Sequence, residues 1–236
     1  MENDLGNRMK EFYENRTRIF LPRRTYTIIR IDGKAFHTYT KGLDRPFDLR
    51  FINDMNETAR YMCKNIQGTK LAFVQSDEIS ILLTDFDKLT TSAWFDGNIQ
   101  KMVSISASLA TAKLNELRPN KIALFDSRVF TIPNAVEVEN YFIWRQQDAT
   151  RNSIISTAQS LYSQKELYGK KTNEMQDICF LKGINWNDYD PSLKRGRLIT
   201  KTEYEKEGAK RTEWSVYNDT PIFTQSRSIF SHLIPK

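Results

Sequence analysis

The chain has 236 residues, 39% of them hydrophobic and 12% aromatic, with a formal net charge of +6 and a pI near 9.2. That length suits one large domain or a domain with an appendage, and no run approaches the ~18 apolar residues of a membrane helix. The basic excess favours a polyanionic partner, while two histidines, His37 and His232, are too few for a zinc site.

The acidic, polar start Met1-Glu2-Asn3-Asp4 reads against an ordinary secretory leader. Cys63 and Cys179 lack C-x-x-C spacing, which predicts reduced thiols and a cytoplasmic setting. Tyr26-Thr27-Ile28-Ile29-Arg30-Ile31 predicts a first strand that stops at Asp32-Gly33. Pro46-Phe47-Asp48 then introduces a helix with Asp48 as its N-cap. Along it Leu49, Ile52, Met55, Ala59, Met62, Cys63 and Ile66 recur at three- and four-residue spacing. Two strands, 70–75 and 79–84, are separated only by Ser76-Asp77-Glu78, so they form a hairpin. A second helix spans 98–117, and its small residues Ser104, Ser106, Ala107, Ser108, Ala110 and Ala112 permit close approach to a sheet. Residues 122–130 predict a fourth strand. Beyond it, Asn134 is a candidate helix cap, helical period resumes at Ile154, and 195–217 alternates around a turn at Lys206-Glu207-Gly208. The tail, 218–236, has no clear period.

A βαββαβ order is the ferredoxin-like unit. The predicted fold class is therefore α+β, with a helical and hairpin C-terminal region appended. We place a catalytic domain at 1–132 and a second region, packed on it, at 133–236. In this topology the first strand runs antiparallel beside the third, so Asp32 and the Asp77-Glu78 pair meet at one sheet edge. A lone acidic residue at a strand end is usually a turn former; three gathered together point to divalent metal and phosphoryl transfer between nucleotides. Two carboxylates about 4 Å apart repel by roughly 4 kcal/mol at an effective dielectric near 20. Either one takes a proton or cations sit between them, and oxygen ligands favour Mg²⁺. Period two sends Glu78 to the face opposite Asp77 unless the turn breaks the alternation. No Walker or dinucleotide loop is present. Phosphates would meet the turn amides of Gly33, Lys34, Ala35, Phe36 and His37, and the cations Lys34, Arg45, Lys101, Arg128 and Arg151. Phe36 and His37 either stack on a base or serve as a core residue and a hydrogen-bonded turn residue.

The stretches Arg30-Ile31-Asp32-Gly33-Lys34-Ala35-Phe36-His37 and Gln75-Ser76-Asp77-Glu78-Ile79-Ser80 resemble the tRNA-His guanylyltransferase superfamily of 3′-to-5′ polymerases. The resemblance continues through Phe125-Asp126-Ser127-Arg128-Val129 and residues 141–148, and covers most of 5–200. It implies a polymerase palm in which Asp32, the Gly33 carbonyl and Asp77 hold two Mg²⁺ ions, with Asp32, Asp77 and Glu78 as catalytic carboxylates. Residues 33–37 and Ser76 would line a nucleotide site. Arg45, in place of a family lysine, and Asp48 would lie near the activating nucleotide, and Lys101 near the incoming triphosphate. Arg128, Arg151 and Asn152 complete the expected nucleotide contacts. Asn98 stands where eukaryotic members have an arginine.

Where those members read His-Ile-Asn-Asn-Leu-Tyr-Asn, this chain reads Thr150-Arg151-Asn152-Ser153-Ile154-Ile155-Ser156. That divergence resembles the bacterial and archaeal like-protein branch, which favours template-dependent repair of 5′-truncated tRNA. The expected partners are tRNA, ATP and GTP or other nucleoside triphosphates, with no membrane, and the expected assembly is a homotetramer. Three rival readings are untemplated guanylate addition to tRNA-His, a palm-type nucleotide cyclase, and a non-catalytic RNA-binding module. The last fits least, because Tyr26 and Phe73 are the only aromatics in the first three strands and base-stacking sheets need more.

Overall fold

The structure, a computed structural model, describes residues 4–235; the Met1–Asn3 start lies outside them. In chain order the elements are α1 (Asp4–Phe12), β1 (Tyr26–Gly33), the single turn α2 (Phe36–Tyr39), α3 (Leu49–Asn65), β2 (Thr69–Gln75) and β3 (Glu78–Leu83). They continue with α4 (Ile99–Leu117), β4 (Phe125–Ile132), α5 (Ala135–Leu161), α6 (Gln164–Leu167), α7 (Thr172–Leu181), α8 (Pro191–Arg195), β5 (Arg197–Lys206) and β6 (Ala209–Tyr217). Short 3-10 turns fall at Glu14–Thr17, Trp94–Gly97, Trp186–Asp188 and Arg227–His232.

All six strands form one antiparallel sheet in the order β4-β1-β3-β2-β5-β6. Its first four strands lie in the order 4-1-3-2, which contains the predicted antiparallel pairing of the first strand with the third. The C-terminal hairpin adds two more strands by pairing β5 with β2, from Leu71↔Thr200 to Val74↔Arg197. Glu207 and Gly208 both have positive φ, 56° and 72°, the hand that suits the twist of a two-residue hairpin turn.

Alternation along the strands sorts their side chains into two cores. Ile29, Ile31, Val74, Ile79 and Ile81 pack with Met55, Ala59 and Met62 of α3 and with Met102, Ala110 and Leu114 of α4. On the other face Ile28, Leu71, Phe73 and Leu82 meet Val138, Tyr141 and Phe142 of α5. The patternless tail closes that second core: Phe223 and Phe230 are fully buried with ring centroids 4.8 Å apart, and Tyr26 Oη donates to the Pro235 carbonyl at 2.5 Å.

The fourth strand begins at Phe125 rather than Ile122. Asn115 of α4 takes the Ala123 backbone at both ends, donating Nδ2 to its carbonyl at 3.0 Å and accepting its amide at 2.7 Å, so the approach to the strand is pinned to the helix. Both cysteines are free and buried. Among the described residues, no helix is long and apolar enough to cross a membrane.

Candidate active site

The antiparallel register sets Ile31 opposite Ile79, which brings Asp32, the next residue of β1, beside the turn that carries Asp77. That turn is tight: Gln75 pairs with Glu78, and Ser76 adopts φ 45°. Ser76 Oγ donates to Asp77 Oδ1 at 2.9 Å. Asp77 is half-buried, and burial pushes its carboxyl up to about 6; the Ser76 hydroxyl and its own amide act against this, while the nearby charges of Asp32 and Glu78 add to it. On the other side of β1, Asp126 of β4 stands opposite Asp32, with Arg128 3.8 Å from its carboxylate. Among the described residues no three His, Cys, Asp or Glu side chains gather as a metal cluster. A cation at this edge would therefore rest on two carboxylates and a backbone oxygen.

Glu78 follows period two. Its Oε1 accepts from Arg145 Nε at 2.8 Å and its Oε2 from Arg145 Nη2 at 2.7 Å, under α5. The same Nη2 reaches Asp148 Oδ2 at 2.7 Å, and Asp148 is paired in turn with Arg151. Ser80 Oγ lies 2.7 Å from Tyr141 Oη, whose phenol burial pushes up to about 12, so it stays protonated. Arg145, Asp148 and Gln75 were not singled out from the sequence as site residues. Arg145 and Asp148 do carry an i,i+3 signal of opposite charge.

Gly33 has a steric reason that the sequence does not declare: a Cβ there would lie 2.2 Å from the Phe36 ring. Phe36 is a core residue, buried against Tyr39, Phe51 and Phe125 with centroids 4.6, 6.1 and 5.1 Å away, so it offers no face to a base. His37 is exposed, with Nε2 3.0 Å from Thr38 Oγ1. Ala35 takes φ 56°, and the Lys34 amide donates to the Leu124 carbonyl at 2.9 Å. The Lys34 side chain is exposed.

A cavity of about 310 Å³ opens between α3, α5 and the start of β5. Five of the expected nucleotide residues line it: His37, Arg45, Asp48, Ser76 and Asn152. Asp48 is the N-cap of α3, accepting from the Phe51 amide at 2.7 Å, as its position before the apolar period predicts. Lys101, Arg128 and Arg151 do not line the cavity. Lys101 is exposed on the first turn of α4 with Nζ 5.9 Å from the Phe95 ring, and Arg151 is held by Asp148. Arg197 also lines the cavity; burial lowers its guanidinium to about 10, and it stays cationic at pH 7.

A sequence model of the family described as tRNAHis guanylyltransferase matches residues 6–133. The tRNA(His) guanylyltransferase of Schizosaccharomyces pombe is 31% identical over 216 residues, covering 83% of this chain and 80% of that protein. A bacterial tRNA(His) guanylyltransferase-like protein, solved in complex with GTP and with ATP, is 47% identical in both structures. Each covers 99% of this chain and all of the bacterial one, with TM-scores of 0.87 and 0.89.

Proposed function

We propose, from the premise that this chain belongs to the tRNAHis guanylyltransferase family, that it rebuilds the 5′ end of truncated tRNA in the 3′-to-5′ direction, reading a template. The chain is a nucleotidyltransferase that adds nucleotides to tRNA. The observation that carries the finer reading is the meeting of Asp32 and Asp77 at one sheet edge, beside a cavity of nucleotide size.

The edge fits a divalent cation, because Asp32 and Asp77 meet there as oxygen ligands, and burial, with the charges of Asp32 and Glu78 adding to it, leaves an ionised Asp77 short of compensation. Asp32, the Gly33 carbonyl and Asp77 would hold two Mg²⁺ ions, which when bound supply charge neutralisation at the attacking and leaving oxygens. The remaining work is positioning, as phosphoryl transfer largely is. Ser76 orients Asp77 through its hydroxyl. Arg145 clamps Glu78 and so fixes the turn that carries Asp77, which makes Glu78 a positioning residue in this reading. The cavity, with Arg45 and Asn152 on its walls, receives the ATP or GTP that activates the 5′-monophosphate. Lys101 and Arg128 lie outside it and are assigned to the incoming triphosphate and the RNA.

The test is extension of labelled 5′-truncated tRNA by the full chain with ATP, GTP and Mg²⁺. Products longer than the input, lost on adding EDTA, are expected; no extension with any nucleotide overturns the reading. A second reading, untemplated guanylate addition, is favoured by the names of the eukaryotic relatives. The base facing the growing end separates the two.

A further inference from the structure

Of the four tryptophans, Trp144 of α5 is the exposed one, at 50%; Trp94 and Trp186 are buried and Trp214 is half-buried. Its ring is nonetheless held. Arg145 places Cζ 4.3 Å from the ring centroid and is itself fixed by Glu78 and Asp148, while Tyr141 meets the indole edge-on at 5.9 Å. Arg30 of β1 reaches the same ring, with Cζ 5.7 Å from its centroid. That contact fixes the sheet face that Arg30 occupies, and alternation puts Asp32 on the same face. Across the ladder, β4 sets Arg128 opposite Arg30 and Asp126 opposite Asp32, both exposed. Together these residues make an open shelf beside the carboxylate edge, with Trp144 as its wall. Its cations are short of negative charge. Like charges directly opposite each other on neighbouring strands repel. Among the described residues Arg30 has no ion pair, and Arg128 has only Asp126, at 3.8 Å.

A flat ring on Trp144 and an anion at the guanidinium pair would complete the shelf, and a nucleotide supplies both. The shelf is separate from the cavity of the activating nucleotide, since Trp144, Arg30 and Arg128 line none of it. Resting on the reading above, in which RNA grows at this edge, we propose that Trp144 is a stacking platform for the base of the RNA's 5′-terminal nucleotide, with Arg30 on its backbone. The positions of Arg30 and Asp32 lie about 7 Å apart along the strand, a span that one nucleotide covers from base to 5′ phosphate. Openness suits the end of a duplex, which an enclosed cavity would exclude. Stacking suits the chemistry as well. Every base has a π-face, so the platform accepts whichever nucleotide ends the truncated strand and leaves base identity to pairing.

The probe is 5′-truncated tRNA carrying 5-iodouridine as its first nucleotide, bound to the full chain with Mg²⁺ and no nucleoside triphosphate, then irradiated. The photo-adduct should map to Trp144, and moving the label several nucleotides inward should lose it. This is read on the unaltered chain, so it holds whether or not a variant folds. In extension kinetics, Trp144→Leu should raise KM for truncated tRNA by about tenfold or more, the scale of one lost base–aromatic stack. Trp144→Tyr should recover most of that, because tyrosine keeps an aromatic face where leucine keeps only apolar bulk. The loss should fall on KM for RNA rather than for ATP, since Trp144 lies outside the cavity. An adduct mapped elsewhere or absent, or equal KM values for RNA in the leucine and tyrosine variants, would overturn the assignment even while tRNA is extended. Bound RNA that gives the Trp144 adduct and is never extended keeps the platform and removes the enzyme reading. RNA that does not bind overturns both.

Discussion

The Glu78 carboxylate takes two hydrogen bonds from Arg145, at 2.8 and 2.7 Å, while Asp77, one residue earlier, sits half-buried beside Asp32. Asp32→Asn and Asp77→Asn should each reduce nucleotide addition by about 10²-fold or more, the scale of a lost electrostatic contact to reacting groups. Extension of truncated tRNA measures this, and normal activity in either folded variant would remove the metal role. The two effects of Asp77→Asn should be separable. Burial raises the Asp77 carboxyl from 3.8 to about 6, so the cost to folding of ionising it grows as pH rises from about 3.8 and is fully present above about 6. At pH 7 in EDTA, Asp77→Asn should therefore melt no lower than the parent. Arg145 behaves oppositely. Arg145→Ala strips the buried Glu78 carboxylate of its cation and leaves Asp148 with Arg151 alone, whereas Glu78→Ala leaves Arg145 its second partner. The expected cost is about 3 kcal/mol or more for Arg145→Ala and clearly less for Glu78→Ala, read by denaturant unfolding. Alternation predicted the face of Glu78, but nothing in the sequence says which cation waits there, because Arg145 is 67 residues away.

Helix α3 was legible almost to the residue, since its apolar face repeats at helical spacing and Asp48 is a capping residue at the right place. Asp48→Ala should cost about 1 kcal/mol by the lost cap, and because Asp48 also lines the cavity, nucleotide binding should weaken with it. Unfolding and binding measured on the same variant check both; a binding loss with no stability change would deny the cap its structural share. Helix α5 was legible only in pieces. It runs unbroken for 27 residues, but Arg145 and Gln146 occupy buried positions and interrupt the apolar period. Gln146 earns its place with tertiary bonds: Nε2 donates to the Pro221 carbonyl at 2.7 Å, and Oε1 accepts the Phe223 amide at 2.8 Å. Buried polar residues satisfied by a distant segment look like surface residues in a hydropathy pattern. For the same reason the tail that supplies those groups carries no period of its own.

At the scale of the molecule, the palm topology was readable because strand order follows from local alternation and connection length, and the carboxylate edge follows from the topology. The cavity was not, since its walls come from α3, α5 and residues 193–197, which only the fold brings together. Residues 150–153, which depart from the eukaryotic His-Ile-Asn-Asn pattern, sit at that junction. Arg151 pairs with Asp148, Asn152 donates to Asp148 Oδ2 at 3.3 Å and lines the cavity, and Ser153 Oγ donates to the Lys194 carbonyl at 3.2 Å. These internal bonds hold the stretch in place beside the cavity, and in the proposed reading the choice of added nucleotide is made elsewhere. In that templated reading, a base in the opposite strand of the acceptor stem would guide the choice. Pairing with it orients the incoming nucleotide and places its 3′-hydroxyl in line with the activated 5′ phosphate. Correct placement of this kind contributes several kcal/mol to lowering a barrier, about 7–11 at its best. A mispaired nucleotide, free to turn, forfeits part of that. The measurement is a set of 5′-truncated tRNAs that differ only in the facing base, each offered the four nucleotides one at a time. Addition should track the facing base across the set; guanylate added whatever base stands opposite would assign the chain to untemplated addition.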